Sequence, residues 1–229
     1  MSHHGRVVRR RRFPHVIFDF DGLILDTETA SAQAWVDVFV RHQVAIDLSR
    51  LHARIGTSGG HPLWWDPAEE LATAAGGLNA SQVLDEKMAR HRDLLEGVGP
   101  NPGVVELLRE CEVEGVHVAI ASSSPTDWVA GHLDRLDLTR YFAALACGDG
   151  QCPPKPDPAI YRAALDALGV GPDEAVALED SEHGVTAANA AGLRVLAVPH
   201  PLCGDVDYGD ATRVVTSLAG VTLSELARL

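Results

Sequence analysis

Short apolar runs and helical patterns alternate through most of the chain. Buried parallel strands form continuous apolar runs, because helices cover both faces of such a sheet. Runs of this kind lie at residues 15–20, 116–121, 144–147, 175–178 and 194–198, with a further candidate at 213–216. Helical patterns lie at about residues 126–136, 158–168 and 182–191. Gly169 and Gly192 follow the last two, where glycines commonly end helices. This alternation predicts an α/β fold with a parallel sheet.

Residues 28–97 depart from this alternation, since they carry helical patterns and almost no strand signal. Two sets of side chains recur there at helical spacing: Ala34, Trp35, Val38, Phe39 and His42, and then Val83, Leu84, Met88, His91, Leu94 and Leu95. Asn79 and Gln82 resemble a capping box at the start of the second helix. We therefore expect an α-helical insertion in an α/β core. The expected division is 1–27 and 98–229 for the core and 28–97 for the insertion.

The charge of the chain is strongly acidic. Its 229 residues have a net charge of −13, and five of the 19 basic residues lie within the first twelve positions. Beyond that start the chain carries 14 basic and 32 acidic side chains, a balance that disfavours nucleic acid as a partner. We interpret residues 1–13 as a solvated, disordered tail. A nucleic-acid arm and an export signal are the alternatives, but the apolar segment that such a signal needs does not follow.

The sequence shows neither a membrane span nor a disulfide framework. No run of 18 apolar residues occurs, so we expect no contact with a membrane and a cytoplasmic protein. The four cysteines, Cys111, Cys147, Cys152 and Cys203, form no CxxC pair and have no ordered spacing with histidines. Reduced, mostly buried thiols fit this pattern better than a zinc site. The chain length allows one domain or a core with a smaller inserted unit, and it leaves monomer and dimer open.

The strongest candidate for chemistry is the segment DFDGLILDTE at residues 19–28, which directly follows an apolar run. Asp19 and Asp21 are expected near the carboxyl end of a buried strand, where open α/β sheets bind ligands. Two like charges buried side by side need a cation or a shared proton. A plain turn is the alternative, because Asp and Gly commonly form turns after strands.

Two later segments place polar groups after other predicted strands. Ser122 follows the second apolar run and could donate to a phosphate oxygen, while Ser124 could cap the helix that begins nearby. Lys155 lies between two prolines, which restrict its backbone on both sides. An isolated lysine is usually a solvated charge, but beside two carboxylates and a phosphate it would be the expected counter-charge.

A further acidic strand end lies at Glu179 and Asp180, before a helix rich in small residues. Carboxylate oxygens, together with several retained waters, are the ligands that Mg²⁺ takes in proteins. A helix N-cap is the alternative role for Asp180. On these residues by themselves, both roles remain open.

Taken in order, the segments DFDGLILDTE, IASSS, KPDP and LEDSEHGVTAANAAG resemble the motifs of the haloacid dehalogenase superfamily, over about residues 16–198. Within it, the chain is similar to the subgroup that contains β-phosphoglucomutase and phosphoglycolate phosphatase. The resemblance implies a Rossmann-like three-layer core and makes the helical insertion a mobile cap domain. The second acid, Asp21, argues against the dehalogenases, which lack it.

The resemblance also implies a role for each motif residue. Asp19 matches the nucleophile that becomes an aspartyl-phosphate, and Asp21 matches the general acid/base, whose main-chain carbonyl also binds the metal. Glu179 is implied as a direct or an indirect partner of that metal. The implied site residues are Ser122, Ser123 and Lys155 for phosphate, and Asp19, Asp21, Glu179 and Asp180 for Mg²⁺.

The implied function is Mg²⁺-dependent hydrolysis of a small phosphorylated metabolite. The β-phosphoglucomutases carry a basic loop after the first cap helix, and residues 54–61 have glycines where its arginine is expected. That difference favours a phosphatase over a β-phosphoglucomutase-type mutase, which is the alternative. A non-catalytic phosphate-binding module is a third hypothesis, and the presence of Asp19 disfavours it. The candidate substrate-binding residues in the cap are Arg54, His61, Trp64 and Lys87.

Overall fold

A six-stranded parallel sheet forms the centre of the molecule. The computed structural model describes residues 13–52, 65–150, 152–203 and 207–229. The strands are β1 His15–Phe18, β2 Val118–Ser122, β3 Phe142–Cys147, β4 Ala175–Glu179, β5 Arg194–Ala197 and β6 Arg213–Val214. Their order is β3-β2-β1-β4-β5-β6, and every neighbouring pair is parallel. The predicted α/β fold with a parallel sheet is therefore confirmed.

The first strand is shorter than its apolar run predicts. It ends at Phe18, and the backbone then turns, since the carbonyl of Phe20 accepts from the amide of Ile24 (2.9 Å) and the amide of Gly22 donates to the carbonyl of Leu25 (2.8 Å). Asp19 consequently begins a loop. On either side of β1 lie β2 and β4, so the chain reverses its direction of travel across the sheet here, which is where open α/β sheets bind ligands.

Helices surround the sheet and also form the segment between β1 and β2. They are α1 Thr27–Arg41, α2 Leu48–His52, α3 Pro67–Ala75, α4 Ala80–Leu95, α5 Val104–Glu114, α6 Thr126–Arg135, α7 Ala159–Leu168, α8 Glu182–Ala190 and α9 Leu223–Leu226. Short 3₁₀ turns lie at Thr139–Tyr141, Pro172–Glu174 and Pro201–Cys203. The three helices expected beside the later strands end within two residues of their predicted limits. Gly169 ends α7 in the left-handed conformation, as its position indicates.

Two hydrophobic layers cover the sheet, and the alternation along β1 shows how they form. Phe18 faces one layer with buried residues of α5, α6 and α9, whereas Ile17 faces the other with buried residues of α7 and α8. On β4, Val176 packs in the same layer as Phe18, and Ala177 packs in the same layer as Ile17. Because both faces are buried, the core strands are apolar on both faces except at their ends, which is why nearly continuous apolar runs predict them.

The helices α1 to α4 pack around a hydrophobic cluster of their own. Its buried members include Trp35, Phe39, Trp65, Leu71 and Val83. The predicted capping box is present at the start of α4, where Asn79 and Gln82 exchange bonds of 3.0 Å. We refer to residues 28–97 as the insert, and its standing as a separate mobile cap stays a prediction. Of the predicted cap residues, Arg54, His61 and Trp64 lie outside the described residues, as does the arginine-rich start of the chain.

The prediction that Leu84 belongs to the apolar face of α4 is wrong. The Leu84 side chain is half-exposed, whereas Lys87, which the apolar pattern omits, is buried. The buried side chains of α4 are Val83, Lys87, His91 and Leu95. They follow a strict four-residue spacing, which keeps them on one stripe of the helix and leaves Leu84 at its edge. This stripe turns Lys87 and His91 toward α1 and toward the edge of the sheet.

Among the described residues, no helix combines the length and the apolar character that crossing a membrane requires. Three of the four cysteines have described side chains. Cys111 is buried, Cys147 and Cys152 are half-buried, and all three are free thiols.

The burial pattern of α5 predicts unequal effects for one substitution at two positions. Val104 is fully buried and Val113 is 82% exposed on the same helix. Val104→Ala removes two buried methyl groups and should lower the free energy of unfolding by about 2 kcal/mol. Val113→Ala should change it by less than about 0.5 kcal/mol. Urea unfolding of both variants measures this difference, and equal effects would contradict the packing described.

Candidate active site

The carboxyl edge of the sheet brings all four motifs to one cavity of about 430 Å³. Asp19 follows β1, Ser122 ends β2, Lys155 lies between β3 and α7, and Asp180 follows β4. The core residues that line the cavity are Asp19, Asp21, Ser122, Ser123, Ser124, Pro125, Trp128, Pro154, Lys155, Asp180, Ser181 and His183. Parallel strands end at the same edge, so residues far apart in the sequence meet there.

Lys155 forms the only ion pairs at the cavity floor among the described residues. Its Nζ lies 2.5 Å from Asp19 Oδ1 and 2.5 Å from Glu179 Oε1, and all three side chains are at least nine-tenths buried. Burial by itself would lower the pKa of Lys155, but the two carboxylates raise it well above its ordinary value. The ammonium group is therefore a fixed positive charge beneath Asp19.

Three carboxylates lie close together here, and Lys155 forms ion pairs with two of them, Asp19 and Glu179. One oxygen from each of Asp19, Glu179 and Asp180 lies within 4.8 Å of the others. Burial raises the pKa of Asp19 to about 8, with Lys155 opposing and Glu179 adding to the shift. Burial and the neighbouring Asp19 likewise raise the pKa of Asp180 well above its ordinary value. An all-oxygen, buried and under-neutralised cluster fits a hard divalent cation such as Mg²⁺.

The two later acids of this cluster differ in their surroundings. Both oxygens of Glu179 are occupied, since Oε1 accepts from Lys155 and the Tyr161 hydroxyl (2.5 Å), and Oε2 accepts from the amides of Asp180 (3.1 Å) and Ser181 (3.3 Å). Within the described ranges no donor reaches the carboxylate of Asp180. Asp180 is thus open to an incoming cation, whereas Glu179 is tied to the protein.

Two glycines allow the acidic loops to approach each other. A Cβ on Gly22, whose φ is +80°, would lie 2.0 Å from Asp180 Oδ2. A Cβ on Gly184 would lie 2.0 Å from the Glu179 carboxylate. Both contacts are far shorter than atoms tolerate. The sequence therefore needs glycine at both positions to build this cluster.

Asp21 accepts hydrogen bonds from the core on both carboxylate oxygens. Ser124 Oγ donates to Oδ2 (2.6 Å), and the indole Nε1 of Trp128 donates to Oδ1 (2.9 Å). Ser122 Oγ lies 3.4 Å from Oδ2 and accepts from the amide of Ser124 (3.0 Å). Ser123 lines the cavity beside them.

Both capping alternatives from the sequence are wrong. Ser124 does not cap α6, because its hydroxyl is turned to Asp21 and the carboxylate of Asp149 accepts from the amide of Thr126 (2.8 Å) instead. Asp180 does not cap α8, since the hydroxyl of Ser181 accepts from the amide of Gly184 (3.1 Å). Asp149 binds the first amide of α6 and Ser181 caps α8, while Ser124 and Asp180 line the cavity.

The insert contributes the opposite wall of the cavity. Its described lining residues are Glu28, Ser31, Lys87, Met88 and His91, which continue from Thr27 at the start of α1. Lys87, expected as a substrate-binding residue, lines the same cavity as the four motifs. Its Nζ donates to Ser31 Oγ (2.8 Å) and lies 3.4 Å from His91 Nδ1.

His91 is an uncharged link between this wall and the start of α1. Burial, with the adjacent Lys87, lowers the pKa of His91 to about 4. Its Nε2 lies 3.0 Å from the carbonyl of Thr27, so the proton is assigned to Nε2 and Nδ1 faces the ammonium group of Lys87. The neutral ring therefore adds no positive charge beside the Lys87 side chain at the cavity wall.

Sequence reasoning missed three residues that hold this site. The sequence pattern predicts Ser124 only as a helix cap, and it assigns no role to Trp128 or Tyr161. Trp128 lies in the first turn of α6, four positions after Ser124. A hydrogen-bond donor one helical turn after the serine run that follows β2 is a usable signal for Trp128. Tyr161 lies inside an apolar pattern on α7, and nothing local distinguishes its hydroxyl from an ordinary core tyrosine.

The comparisons with known proteins agree with this geometry. The haloacid dehalogenase-like hydrolase family matches residues 16–198. Hexitol phosphatase B of Escherichia coli (strain K12) is 34% identical, over 96% of this chain and 95% of its own. The phosphorylated carbohydrates phosphatase of Thermotoga maritima is 35% identical, over 82% and 86%. The crystal structure of CbbY from Rhodobacter sphaeroides in complex with phosphate superimposes with a TM-score of 0.75 at 28% identity, over 93% and 99%.

The chain belongs to the haloacid dehalogenase-like hydrolase family. The family identified from the motifs is therefore confirmed, and with it the Rossmann-like core. Within that family the chain is an enzyme of the phosphohydrolase class.

Gly184 offers a test of the acidic cluster. Gly184→Ala should displace the Glu179 carboxylate and lower the free energy of unfolding by about 1–3 kcal/mol, because the added methyl overlaps a buried ion pair. Gly131→Ala is the matched control, a helical glycine on α6 with open space around it, and should be neutral or stabilising by up to about 1 kcal/mol. Urea unfolding compares the two, and a harmless Gly184→Ala would contradict the close approach.

Proposed function

We propose that the protein is a Mg²⁺-dependent phosphatase that hydrolyses the phosphate ester of a small metabolite through a covalent intermediate on Asp19. The observation that carries this proposal is the buried Lys155–Asp19 pair at the floor of a cavity that Asp21 and Asp180 also line. A carboxylate held by an ammonium group and left open to the cavity has the surroundings that an attacking group on an anionic phosphate needs.

Each core residue has a defined task in this mechanism. Asp19 attacks the phosphorus atom, and the ester oxygen leaves with a proton supplied by Asp21. Asp21 then takes a proton from the water that hydrolyses the aspartyl-phosphate, so one difficult step becomes two easier ones. Lys155 offsets the charge of the phosphate and of Asp19, and Ser122 and Ser123 donate to the phosphate oxygens.

Mg²⁺ would supply the charge neutralisation that lets a carboxylate approach a phosphate. Asp19 and Asp180 are its side-chain ligands in this proposal, with the main-chain carbonyl of Asp21 completing the protein's share. Of the two roles considered for Glu179, we assign the indirect one, because all its acceptor positions are filled by Lys155, Tyr161 and backbone amides. Glu179 orients the ligands and does not bind the metal.

A phosphorylated sugar or polyol is the substrate class that we propose. Hexitol phosphatase B and the phosphorylated carbohydrates phosphatase are relatives over most of this chain. The insert wall supports this class, since Ser31, Lys87 and Glu28 present both donors and acceptors of the kind that bind hydroxyl groups. In this proposal residues 28–97 act as a cap that closes over the bound sugar and excludes water.

The cytoplasm is the location that we propose. The free thiols of Cys111, Cys147 and Cys152 suit a reducing compartment.

Phosphate release tests the covalent mechanism. The wild-type protein with Mg²⁺ should release inorganic phosphate from members of a panel of hexitol phosphates, hexose phosphates and phosphoglycolate. Asp19→Asn should lower kcat by at least about 10³-fold, because an amide cannot form the acyl-phosphate. Asp166→Asn, an exposed acid on α7, is the matched control and should retain full activity.

Retained activity in Asp19→Asn would contradict the covalent mechanism. A different outcome would identify the alternative enzyme. Isomerisation of a hexose phosphate that needs a bisphosphate primer and releases little phosphate would show a mutase in place of a phosphatase.

Metal binding has a readout that does not depend on turnover. At about a hundredfold excess over its dissociation constant, Mg²⁺ should raise the unfolding midpoint by about 5–10 °C, because it binds only the folded carboxylate cluster. Asp180→Asn should abolish this shift. In EDTA the same variant should be at least as stable as the wild type, since it relieves repulsion among three buried acids.

Asp166→Asn again serves as the control, and thermal unfolding monitored by circular dichroism measures all three proteins. An undiminished Mg²⁺ shift in Asp180→Asn would exclude Asp180 as a ligand.

A further inference from the structure

We propose that Trp128 is the positioning residue for Asp21, whose indole N–H orients the carboxylate that exchanges protons with the substrate. The inference rests on the proposed function and adds a residue to it. In this arrangement α6 of the core, and not the insert, holds the acid/base group in position.

Hydrogen bonds from Trp128 and Ser124 fix the rotation of the Asp21 carboxylate. Asp21 lies in the loop after β1, where its backbone forms an isolated bridge with Leu25 that does not set the rotation of its carboxylate. Trp128 donates to Oδ1 at 2.9 Å and Ser124 donates to Oδ2 at 2.6 Å. A single donor would leave the group free to swing about its Cβ–Cγ bond. Donors on both oxygens define one orientation, with the remaining lone pairs available on the cavity side.

Trp128 is itself held on several sides. It belongs to the first turn of α6, whose opening amide at Thr126 is bound by Asp149 (2.8 Å). Val129, the next residue, is fully buried against the sheet. The ring of His132, one turn later, meets the indole edge-on with centroids 4.4 Å apart. These contacts give the indole N–H a defined direction before any substrate binds.

The insert also contacts this indole. The His91 ring lies 5.3 Å from that of Trp128, centroid to centroid, and His91 is the residue that binds the carbonyl of Thr27 at the start of α1. Trp128 therefore lies between the acid/base group and the segment that we propose to close. The Trp128 side chain thus directly contacts both Asp21 of the core and His91 of the insert.

The chemistry of indole suits this task. An indole N–H is a donor with no lone pair to offer, so Trp128 cannot take the proton that Asp21 carries to the leaving oxygen. It also keeps its proton throughout the ordinary pH range. Lysine or histidine at this position would add a titrating charge beside Asp21. Trp128 orients the carboxylate and leaves its proton to the substrate.

Trp128→Phe tests the proposal, because it removes the N–H and keeps an aromatic ring. The two substrates are a hexitol phosphate, whose alcohol needs a proton to leave, and p-nitrophenyl phosphate, whose phenolate leaves without one. The measured quantity is kcat/KM, which includes steps only up to release of the leaving group. For the hexitol phosphate it should fall about 10- to 100-fold, a part of the usual general acid–base effect, and for p-nitrophenyl phosphate by less than about threefold.

Trp65→Phe is the matched control. Trp65 also donates an indole hydrogen bond to a carboxylate, Glu70 Oε2 at 2.7 Å, but it belongs to the insert cluster and does not line the cavity. It should leave both kcat/KM values unchanged. Ser124→Ala is a second variant, which removes the nearer of the two donors on the other oxygen (2.6 Å, against 3.4 Å for Ser122) and should show the same dependence on the leaving group. In an Asp21→Asn background, Trp128→Phe should cause little further loss.

Equal losses on both substrates in Trp128→Phe and Ser124→Ala would overturn the positioning role and leave the phosphatase intact. An additive loss in the Asp21→Asn background would overturn it as well. A wild-type protein that hydrolyses neither substrate in the presence of Mg²⁺ would overturn the proposed function itself, so the two failures are distinguishable.

Discussion

The ammonium group of Lys155, buried beneath Asp19 and Glu179, is the interaction around which the rest of the site is arranged. Three carboxylates that are removed from water repel one another strongly, and a single fixed cation offsets only part of that repulsion. Both carboxylate oxygens of Glu179 accept hydrogen bonds, from Lys155, from the Tyr161 hydroxyl and from backbone amides. What remains is a pair of acids, Asp19 and Asp180, that face the cavity with an excess of negative charge, which a divalent cation would neutralise.

This charge demand explains why small residues surround the acidic loops. The loop after β1 passes so close to Asp180 that only glycine fits at position 22, and α8 begins so close to Glu179 that only glycine fits at 184. Close approach keeps the carboxylates near one centre, where a single cation serves all of them. Bringing them together costs electrostatic repulsion, which a bound divalent cation would relieve.

The core and the insert contribute different properties to one cavity. The core supplies the fixed charges and the serine hydroxyls at the strand ends. The insert supplies Lys87, Ser31 and Glu28, and it holds His91 in the neutral form beside Lys87. In the proposed mechanism, the groups that act on phosphate come from the sheet edge, and the groups that bind the remainder of the substrate come from helices packed around their own hydrophobic cluster.

Much of the fold could be predicted from the sequence, because its signals are local. Apolar runs reveal strands buried on both faces, helical spacing reveals the insert, and the polar residues that end each run mark the edge where a ligand binds. Asp19, Ser122 and Asp180 lie at the ends of such runs, whereas Lys155 is marked by its flanking prolines and by the resemblance of its motif. The same local pattern indicates that the acids of this edge need a cation or a shared proton.

Only the tertiary structure decided how these parts meet. The order of the strands places β4 beside β1, and that order depends on connections that no local pattern records. Tertiary packing also decided that hydrogen bonds within the protein occupy both oxygens of Glu179. It decided that the Ser124 hydroxyl binds Asp21 and not a helix end, and that Trp128 donates to the other oxygen of Asp21. The physical reason is the same in each case. A side chain's partner is chosen by packing between segments that are distant in the chain, and the sequence around the side chain carries no information about that partner.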